Sequence, residues 1–276
     1  MTLNTDQIWK KSSASDDIDY EVFGEDLQYV EVELDPEESV IAEAGALMMK
    51  HPDIEMNTIF GDGSGQESGL MGSLLGAGKR LLTGEGLFMT VFTHKGLGKA
   101  KLSFGAPYPG RIIPVNLGEI GGELVCQKDS FLCAAKGVSV GIHLQKRIMT
   151  GLFGGEGFIM QKLEGDGWVF VHAGGVLAQK ELAHGEELHV DTGCVAAFTQ
   201  GVEMDIVRAG NIKSMLFGGE GAFYARLRGP GVVLVQSLPF TRLAGRVLAN
   251  AKTGKGEGSI LGSVGDLLDG DGRKGW

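Results

Sequence analysis

Three histidines lie within one short stretch of the chain, at His172, His184 and His189, with Glu186 and Asp191 beside them. Imidazole and carboxylate groups are common metal ligands, so this stretch is the first candidate for a metal site. The spacing H-x₁₁-H-x₄-H differs, however, from the H-E-x-x-H motif and from the H-x-H motif of cupins. We interpret these histidines as ordinary strand and turn residues, and the sequence predicts no metal.

Two glycine-rich loops, residues 154–157 and 218–221, could cradle a phosphate with their backbone N–H groups. Phosphate loops usually lead into the N-terminus of a helix, whereas strand-like sequence follows both loops, and each loop contains a glutamate that repels an anion. Residues 78–80 depart from the P-loop motif because arginine stands where serine or threonine is needed. The pattern favours tight turns, and no cofactor is predicted.

No nucleophile is placed as in a known catalytic motif. The three cysteines, Cys126, Cys133 and Cys194, lack an adjacent histidine in any recognisable signature, and the chain contains no G-x-S-x-G motif. A triad can still be assembled from residues far apart in sequence, so catalysis stays open. The sequence indicates no catalytic residue and favours a non-enzymatic protein.

Three glutamates, Glu85, Glu156 and Glu220, occupy the same position of a Gly-Glu-Gly motif that occurs three times. They could form a ring that binds a cation, since carboxylates are the preferred ligands of hard cations. They could equally be solvated turn residues that pair with nearby lysine or arginine. Because exposed charges usually carry little energy, we favour the structural role.

The amino-acid composition limits the class of structure, the partners and the location that this chain can have. The chain has 276 residues, of which 46 are glycine and only 7 proline, without the Gly-X-Y period of collagen. The formal net charge of −10 disfavours nucleic acid as a partner, because binding to phosphates relies on clustered Lys and Arg. Three cysteines without C-x-x-C spacing, no signal-peptide pattern and no long apolar run predict a cytoplasmic protein, with peripheral contact to a membrane as an alternative.

One β-hairpin pattern occurs three times, at residues 84–105, 155–175 and 219–238. Each copy begins with Gly-Glu-Gly, continues through strand-forming residues to a Gly-x-Gly turn, and ends in a second β-rich stretch. The turn glycines supply the positive φ angles that tight hairpins require. A second module precedes each hairpin, and its copies are residues 32–49, 115–135 and 180–198.

Module and hairpin together form one unit, and three units are expected to pack around a common axis because none can bury its apolar face alone. The predicted fold class is all-β: three β-sandwich or double-stranded β-helix repeats in a pseudo-threefold prism, with very little helix. The predicted divisions are a disordered N-terminus at 1–17, a single three-repeat β domain at 18–244 and a glycine-rich C-terminal tail at 245–276. The repeats within the domain are 27–105 with an insertion at 57–83, 111–175 and 176–238.

The insertion in the first unit contains an apolar stripe. Within residues 61–83, leucines and a methionine recur at helical spacing beside two basic residues. Such a stripe could bind a protein partner or lie on a membrane surface, and it could equally pack on the chain's own core or mediate self-association. The candidate interaction residues are Leu70, Met71, Leu74, Leu75, Lys79, Arg80, Leu81 and Leu82.

Several motifs together are those of one known family. They are YEVFG at 20–24, VEVELDPEESVIAEAGALMM at 30–49, the three Gly-Glu-Gly hairpins, and GPGVVLVQSLP at 229–239. Over about residues 20–240 the chain resembles the altered inheritance of mitochondria protein 24 family, whose bacterial members are of unknown function. The resemblance implies a fold similar to the tryptophan RNA-binding attenuation protein, with three such β units in one chain. Mitochondrial members are associated with inner-membrane organisation, and the resemblance implies no catalytic residues.

Three hypotheses for function follow. The first is a non-enzymatic scaffold or assembly factor that acts through protein partners or a membrane surface. The second is a small-ligand or metal-binding β-helix protein, with or without catalysis. The third is RNA binding by analogy of fold, which the acidic charge disfavours because single-strand binders combine stacking with positive charge. Exposed strand edges and the apolar stripe also lead us to expect a homo-oligomer.

Overall fold

The computed structural model describes residues 14–60, 88–146, 158–208 and 223–251. Within these ranges the chain forms nineteen β-strands and one α-helix, which confirms the prediction of an all-β protein. Packing around a common threefold axis stays a prediction.

The strands are short and are joined mostly by tight turns. In chain order they are β1 (Asp19–Phe23), β2 (Tyr29–Leu34), β3 (Ser39–Glu43), β4 (Leu47–Lys50), β5 (Ile54–Phe60), β6 (Phe88–His94), β7 (Ala100–Gly105), β8 (Gly110–Asn116), β9 (Glu123–Gln127), β10 (Phe131–Ala135), β11 (Ser139–Lys146), β12 (Phe158–Glu164), β13 (Trp168–Gly174), β14 (Leu177–Leu182), β15 (Glu187–Asp191), β16 (Val195–Thr199), β17 (Glu203–Arg208), β18 (Phe223–Arg228) and β19 (Gly231–Gln236). The helix α1 (Phe240–Ala251) follows β19.

These strands form four sheets. Sheet A has the order β1-β2-β7-β4, and sheet B has the order β5-β6-β3-β10-β13-β8. Sheet C has the order β11-β12-β9-β16-β19-β14, and sheet D has the order β15-β18-β17. Sheets B and C therefore contain six strands each, whereas sheets A and D are smaller.

The same antiparallel pairings recur along the chain. β2 pairs with β7, β8 with β13, and β14 with β19. On their other side, β7, β13 and β19 pair with β4, β10 and β16, with a break in register each time. The breaks lie between Leu47 and Met49, between Phe131 and Cys133, and between Val195 and Ala197. β3 also pairs with β10 in sheet B, and β9 pairs with β16 in sheet C.

Three buried clusters hold the sheets together. The first joins sheet A to sheet B and contains Phe104 and Phe92, whose ring centroids lie 5.4 Å apart in an edge-to-face arrangement. The second joins sheets B and C and contains Val169 and Leu163. The third joins sheets C and D through residues of β12 and β18. Removal of this apolar surface from water is the main force that holds the fold together.

Strands in the middle of the larger sheets are buried on both faces. All five residues of β10 are buried, and Val169, Phe170 and Val171 of β13 are fully buried. A strand covered on both faces consists of a nearly continuous apolar run rather than an alternating one. The structure thus confirms that the apolar run from Trp168 to Val171 belongs to a strand with a buried core.

One glycine of each predicted hairpin turn has a positive φ angle, whereas Gly96, Gly167 and Gly229 do not. Gly98, between β6 and β7, has φ +79°, and Gly231, at the start of β19, has φ +145°. A Cβ atom on Gly231 would also lie 2.7 Å from Cγ2 of Val202, closer than real contacts allow. Both the backbone angle and the tight packing therefore require glycine at this position.

The two ends of the described chain contact the β domain. The backbone N–H of Ala14 donates to Oδ2 of Asp166 at 2.9 Å, and Oδ2 of Asp16 accepts from the N–H of Ser39 at 2.7 Å. These contacts lie in the stretch predicted to be a disordered N-terminus. At the other end, α1 includes the first residues of the predicted glycine-rich tail, and β5 includes the first residues of the predicted insertion.

Candidate interaction surfaces

The residues that the sequence predicted as an interaction surface lie outside the described residues. This holds for the apolar stripe at Leu70, Met71, Leu74, Leu75, Leu81 and Leu82, for its basic neighbours Lys79 and Arg80, and for Glu85, Glu156 and Glu220. The proposed roles of the stripe and of the three glutamates therefore stay predictions.

The three histidines of the metal candidate do not converge. His172 lies on β13, is 1% exposed, and its ring meets the ring of Tyr108 edge to face at 4.5 Å. His189 on β15 packs instead against Tyr224, with ring centroids 4.7 Å apart, and His184 is exposed in the preceding turn. Among the described residues, no three His, Cys, Asp or Glu side chains are grouped so that they could hold a metal ion.

His172 is a neutral core residue. Burial lowers the pKa of its imidazole to about 4, and the Tyr108 backbone opposes this shift only in part. Among the described residues, neither ring nitrogen has a hydrogen-bond partner of normal geometry, and burial is the main cause of the shift. A group that stays neutral down to about pH 4 in a dry environment is suited to packing rather than to proton transfer near neutral pH.

The cysteines are unsuited to nucleophilic attack. Cys126 and Cys133 are fully buried, and burial raises the pKa of both thiols above the usual value. For the half-buried Cys194, burial and Asp191 raise the thiol pKa, while Arg242 opposes them. Because the thiolate is the reactive form, all three thiols are held in the unreactive state at neutral pH.

A largely buried carboxyl group that the sequence did not single out lies at the end of β3. Burial and the charge of Asp129 raise the pKa of Glu43 to about 7, although Lys128 lowers it in part. The sequence around Glu43 contains little to indicate a buried carboxyl group, since Glu43 only follows the apolar run Val-Ile-Ala. Glu43 changes its charge near neutral pH, and it influences Cys126, whose thiol pKa it helps to raise.

The outer face of sheet A is a charged surface. Nζ of Lys99 lies 2.9 Å from Oδ2 of Asp19 and 2.8 Å from Oε1 of Glu33, and Nζ of Lys101 lies 2.7 Å from Oε1 of Glu31. A shallow depression of about 210 Å³ opens beside these ion pairs. Small-molecule sites are usually larger, apolar clefts of ~300–1,000 Å³, so this surface lacks the properties of a substrate pocket.

The outer edge of sheet A exposes apolar side chains. On β4, Met48 is 53% exposed and Met49 is 46% exposed. The corresponding residues of β10, Leu132 and Cys133, are 3% and 0% exposed. The difference arises because β10 is covered on its other side by β3, whereas β4 is the last of the described strands in its sheet.

The outer edge of sheet D is β15. Its partner in the sheet is β18, which leaves the other side of β15 unpaired among the described strands. Leu188 is half-buried and Val190 is 8% exposed, while Glu187 and His189 face the solvent. An edge strand with free N–H and C=O groups is a ready template for pairing with another chain.

Helix α1 presents a second apolar surface. Phe240, Val247 and Leu248 are 47%, 61% and 53% exposed, and their spacing places them on one face of the helix. Arg242 and Arg246 are also exposed on this helix, which contains no acidic residue. Helix α1 is absent from the sequence prediction, which places the start of the tail at Gly245, although the apolar residues recur at helical spacing.

A comparison with known protein families identifies the chain. Residues 20–238 match the family described as mitochondrial biogenesis AIM24. The chain belongs to this family. The resemblance seen in the sequence motifs is thereby confirmed, and the match spans the described β domain of this AIM24 chain from β1 to β19.

Two streptococcal proteins are similar to this AIM24 chain. An uncharacterised protein of Streptococcus pyogenes serotype M6 is 30% identical over 220 residues, which cover 78% of this chain and 84% of that protein. The crystal structure of a Streptococcus pyogenes protein superimposes with a TM-score of 0.66 at 21% identity, covering 84% of this chain and 99% of the other. These likenesses show a shared family and fold and indicate no specific function. Within the described residues, no helix has the length and hydrophobicity that crossing a membrane requires.

Proposed function

We propose that this AIM24 chain is a non-enzymatic assembly protein that acts by binding other proteins. The observation that carries this proposal is helix α1, which keeps Phe240, Val247 and Leu248 exposed on one face. Apolar side chains at positions i, i+7 and i+8 are those with which a helix docks into a hydrophobic groove. The raised thiol pKa values and the dispersed histidines give further support, because they leave the described part of the chain without an evident catalytic group.

We also propose that the β domain is built from three six-stranded units: β2 to β7, β8 to β13, and β14 to β19. In each unit the first and third strands pair with the sixth, and the second and fourth pair with the fifth. These units correspond closely to the repeats expected at 27–105, 111–175 and 176–238. A repeated scaffold of this kind offers several similar surfaces for assembly.

The chemistry of α1 favours an acidic protein partner. Arg242 and Arg246 lie on the same helix outside its apolar face, and their side chains are exposed. The chain as a whole carries a net charge of −10, so α1 is a locally basic surface on an acidic protein. A partner that combines an apolar groove with acidic residues at its rim would complement both properties, because opposite rim charges speed and orient association.

Affinity capture with the full chain tests this role. We expect Leu248→Asp to abolish capture of specific proteins, because a carboxylate would enter the apolar face. Asn250→Asp is the matched control, since it adds the same charge to α1 roughly 160° around the helix from Leu248 and should leave capture intact. Each captured protein is to be confirmed by reciprocal capture of this chain. Equal capture by both variants would remove α1 as the docking surface, and capture of anionic lipid vesicles instead of proteins would indicate a membrane surface.

A deletion of residues 61–83 tests the predicted apolar stripe separately. If the stripe contacts a partner, the deletion removes capture while α1 remains intact. If every partner is retained, the stripe serves the chain's own structure. A small molecule or metal that co-purifies with all variants would instead favour a ligand-binding β domain.

A further inference from the structure

Two of the sheet edges that are unpaired among the described strands, β4 and β15, correspond to strands that pair with each other elsewhere in this chain. β4 is the counterpart of β10 and β16, because each pairs with the last strand of its unit across the same register break. β15 is the counterpart of β3 and β9, because each pairs with the fifth strand of its unit. β10 pairs with β3, and β16 pairs with β9. The chain thus contains two built examples of the contact that β4 and β15 lack.

The two examples have the same register, and this register predicts how β4 and β15 would pair. Cys133 lies opposite Ala42 in one, and Ala197 lies opposite Cys126 in the other. Transfer of this register to the free edges places Met49 opposite Val190, with Lys50 opposite His189 and His51 opposite Leu188. A shift by one residue would turn every side chain to the wrong face, so the register is specific.

The side chains on the two edges are complementary in this register. Met49, which is 46% exposed, would lie against Val190, and their contact would extend the third buried cluster. Lys50 would have Glu187 and Asp191 as its diagonal neighbours, and both are acidic. Opposite charges at cross-strand positions stabilise a pair, whereas like charges destabilise it. Methionine also adapts its shape readily to a partner surface.

The two edges are not paired with each other within the described part of the chain. The buried clusters join sheet A to B, B to C and C to D, and none of the clusters formed by described residues contains members of both A and D. Met48 and Met49 are about half exposed, whereas their counterparts in the built contacts are buried. One molecule therefore carries both halves of a contact, and no described strand covers either half.

We propose that β4 of one copy pairs in antiparallel fashion with β15 of a second copy, so that sheets A and D of neighbouring molecules fuse into one continuous sheet. This inference rests on the proposed assembly role and specifies one partner for it. Because the two edges differ, the contact is head-to-tail, and it yields a closed ring or a filament according to the rotation between copies.

A designed disulfide tests the pairing and its register in the full chain. Cα atoms of opposed residues in an antiparallel pair lie ~4.5–5.5 Å apart, within the range that a disulfide can span. Under mild oxidation, Met49→Cys combined with Val190→Cys should form covalent multimers. Each single variant controls for the native cysteines, and Met49→Cys combined with Glu187→Cys controls for register. An internal cross-link within a monomer, or no cross-link at all, overturns the proposal.

Solution mass provides the second measurement. Wild type should sediment as an oligomer, and Met49→Lys should sediment as a monomer because a buried charge opposes pairing at the edge. Met56→Lys is the matched control, since Met56 is 56% exposed on β5 and takes no part in the proposed contact. A monomeric wild type that still captures partners through α1 overturns the self-pairing alone. An oligomer joined at β4 and β15 in which no variant of α1 affects capture overturns the partner-binding role alone.

Discussion

Met49 and Cys133 occupy the same position in two strands that pair alike, yet Met49 is 46% exposed and Cys133 is fully buried. Each residue follows the register break of its strand, Met49 opposite Ser103 and Cys133 opposite Phe170. The difference in exposure comes from the next strand in the sheet, which is present beside β10 and absent beside β4 among the described strands. The same local structure is therefore a core element in one place and an open edge in another.

Glu43 should make the protein less stable as the pH rises. Its pKa is about 7 in the folded chain and 4.5 in the reference state, so the folded state binds more protons between these values. The free energy of unfolding should fall by up to about 3 kcal/mol across pH 4.5–7, at ~1.4 kcal/mol per pKa unit. Glu43→Gln should remove this dependence and raise stability at pH 8, as measured by urea unfolding. Glu55→Gln on β5, an exposed position, is the control, and equal pH profiles for wild type and Glu43→Gln would contradict the assignment.

His172 should act in the opposite direction, at lower pH. Its pKa is lowered from 6.5 to about 4, so the unfolded state binds more protons in this window and stability falls as the pH drops through it. His172→Phe, which keeps a ring at the position but cannot be protonated, should resist acid unfolding to a lower pH. Circular dichroism against pH measures the midpoint. The same substitution at the exposed His184 should not move it, and an unchanged midpoint in His172→Phe would exclude burial of a neutral imidazole as a source of acid sensitivity.

Phe104 should be among the most costly side chains to truncate. It is fully buried and packs edge to face on Phe92 between sheets A and B. Phe104→Ala removes both the transfer free energy and the contacts around the resulting cavity, so we expect a loss of about 3–5 kcal/mol in the free energy of unfolding. Leu97→Ala, at a position 97% exposed, should change stability by no more than about 0.5 kcal/mol. Comparable effects of the two substitutions in urea unfolding would show that the A–B cluster is not a core.

Gly231 should not tolerate a side chain. A Cβ atom there would meet Val202 Cγ2 at 2.7 Å and Thr199 Oγ1 at 2.9 Å, with φ at +145°. Gly231→Ala should lower the free energy of unfolding by about 1–3 kcal/mol through backbone strain and overpacking. At Gly141, where nothing lies within 4 Å of the added atom and φ is not left-handed, Gly141→Ala should be close to neutral in thermal unfolding. If Gly231→Ala were equally neutral, the turn would be able to shift and accommodate the Cβ atom without loss of stability, which would contradict this prediction.

The sequence predicted the all-β fold well because its signals are local. Strand propensity determines the conformation of short apolar runs such as residues 168–171. Required backbone angles do the same for Gly-x-Gly turns such as that of Gly98. The long-range contacts of individual side chains give no comparable signal. Nothing around Glu43 or His172 in the sequence indicates burial, because burial depends on residues brought in from other sheets.

The sequence by itself determined two things. The chain folds into β-hairpins with glycine turns, and its Gly-Glu-Gly motifs indicate its family. Strand alternation and positive φ angles depend on neighbouring residues, so they can be read along the chain. Only the tertiary structure decided which strands end a sheet. Leu-Met-Met-Lys of β4 and Phe-Leu-Cys-Ala-Ala of β10 are both good strand sequences, and their exposure differs because sheet order, a property of the whole chain, gives a covering strand to one and not to the other.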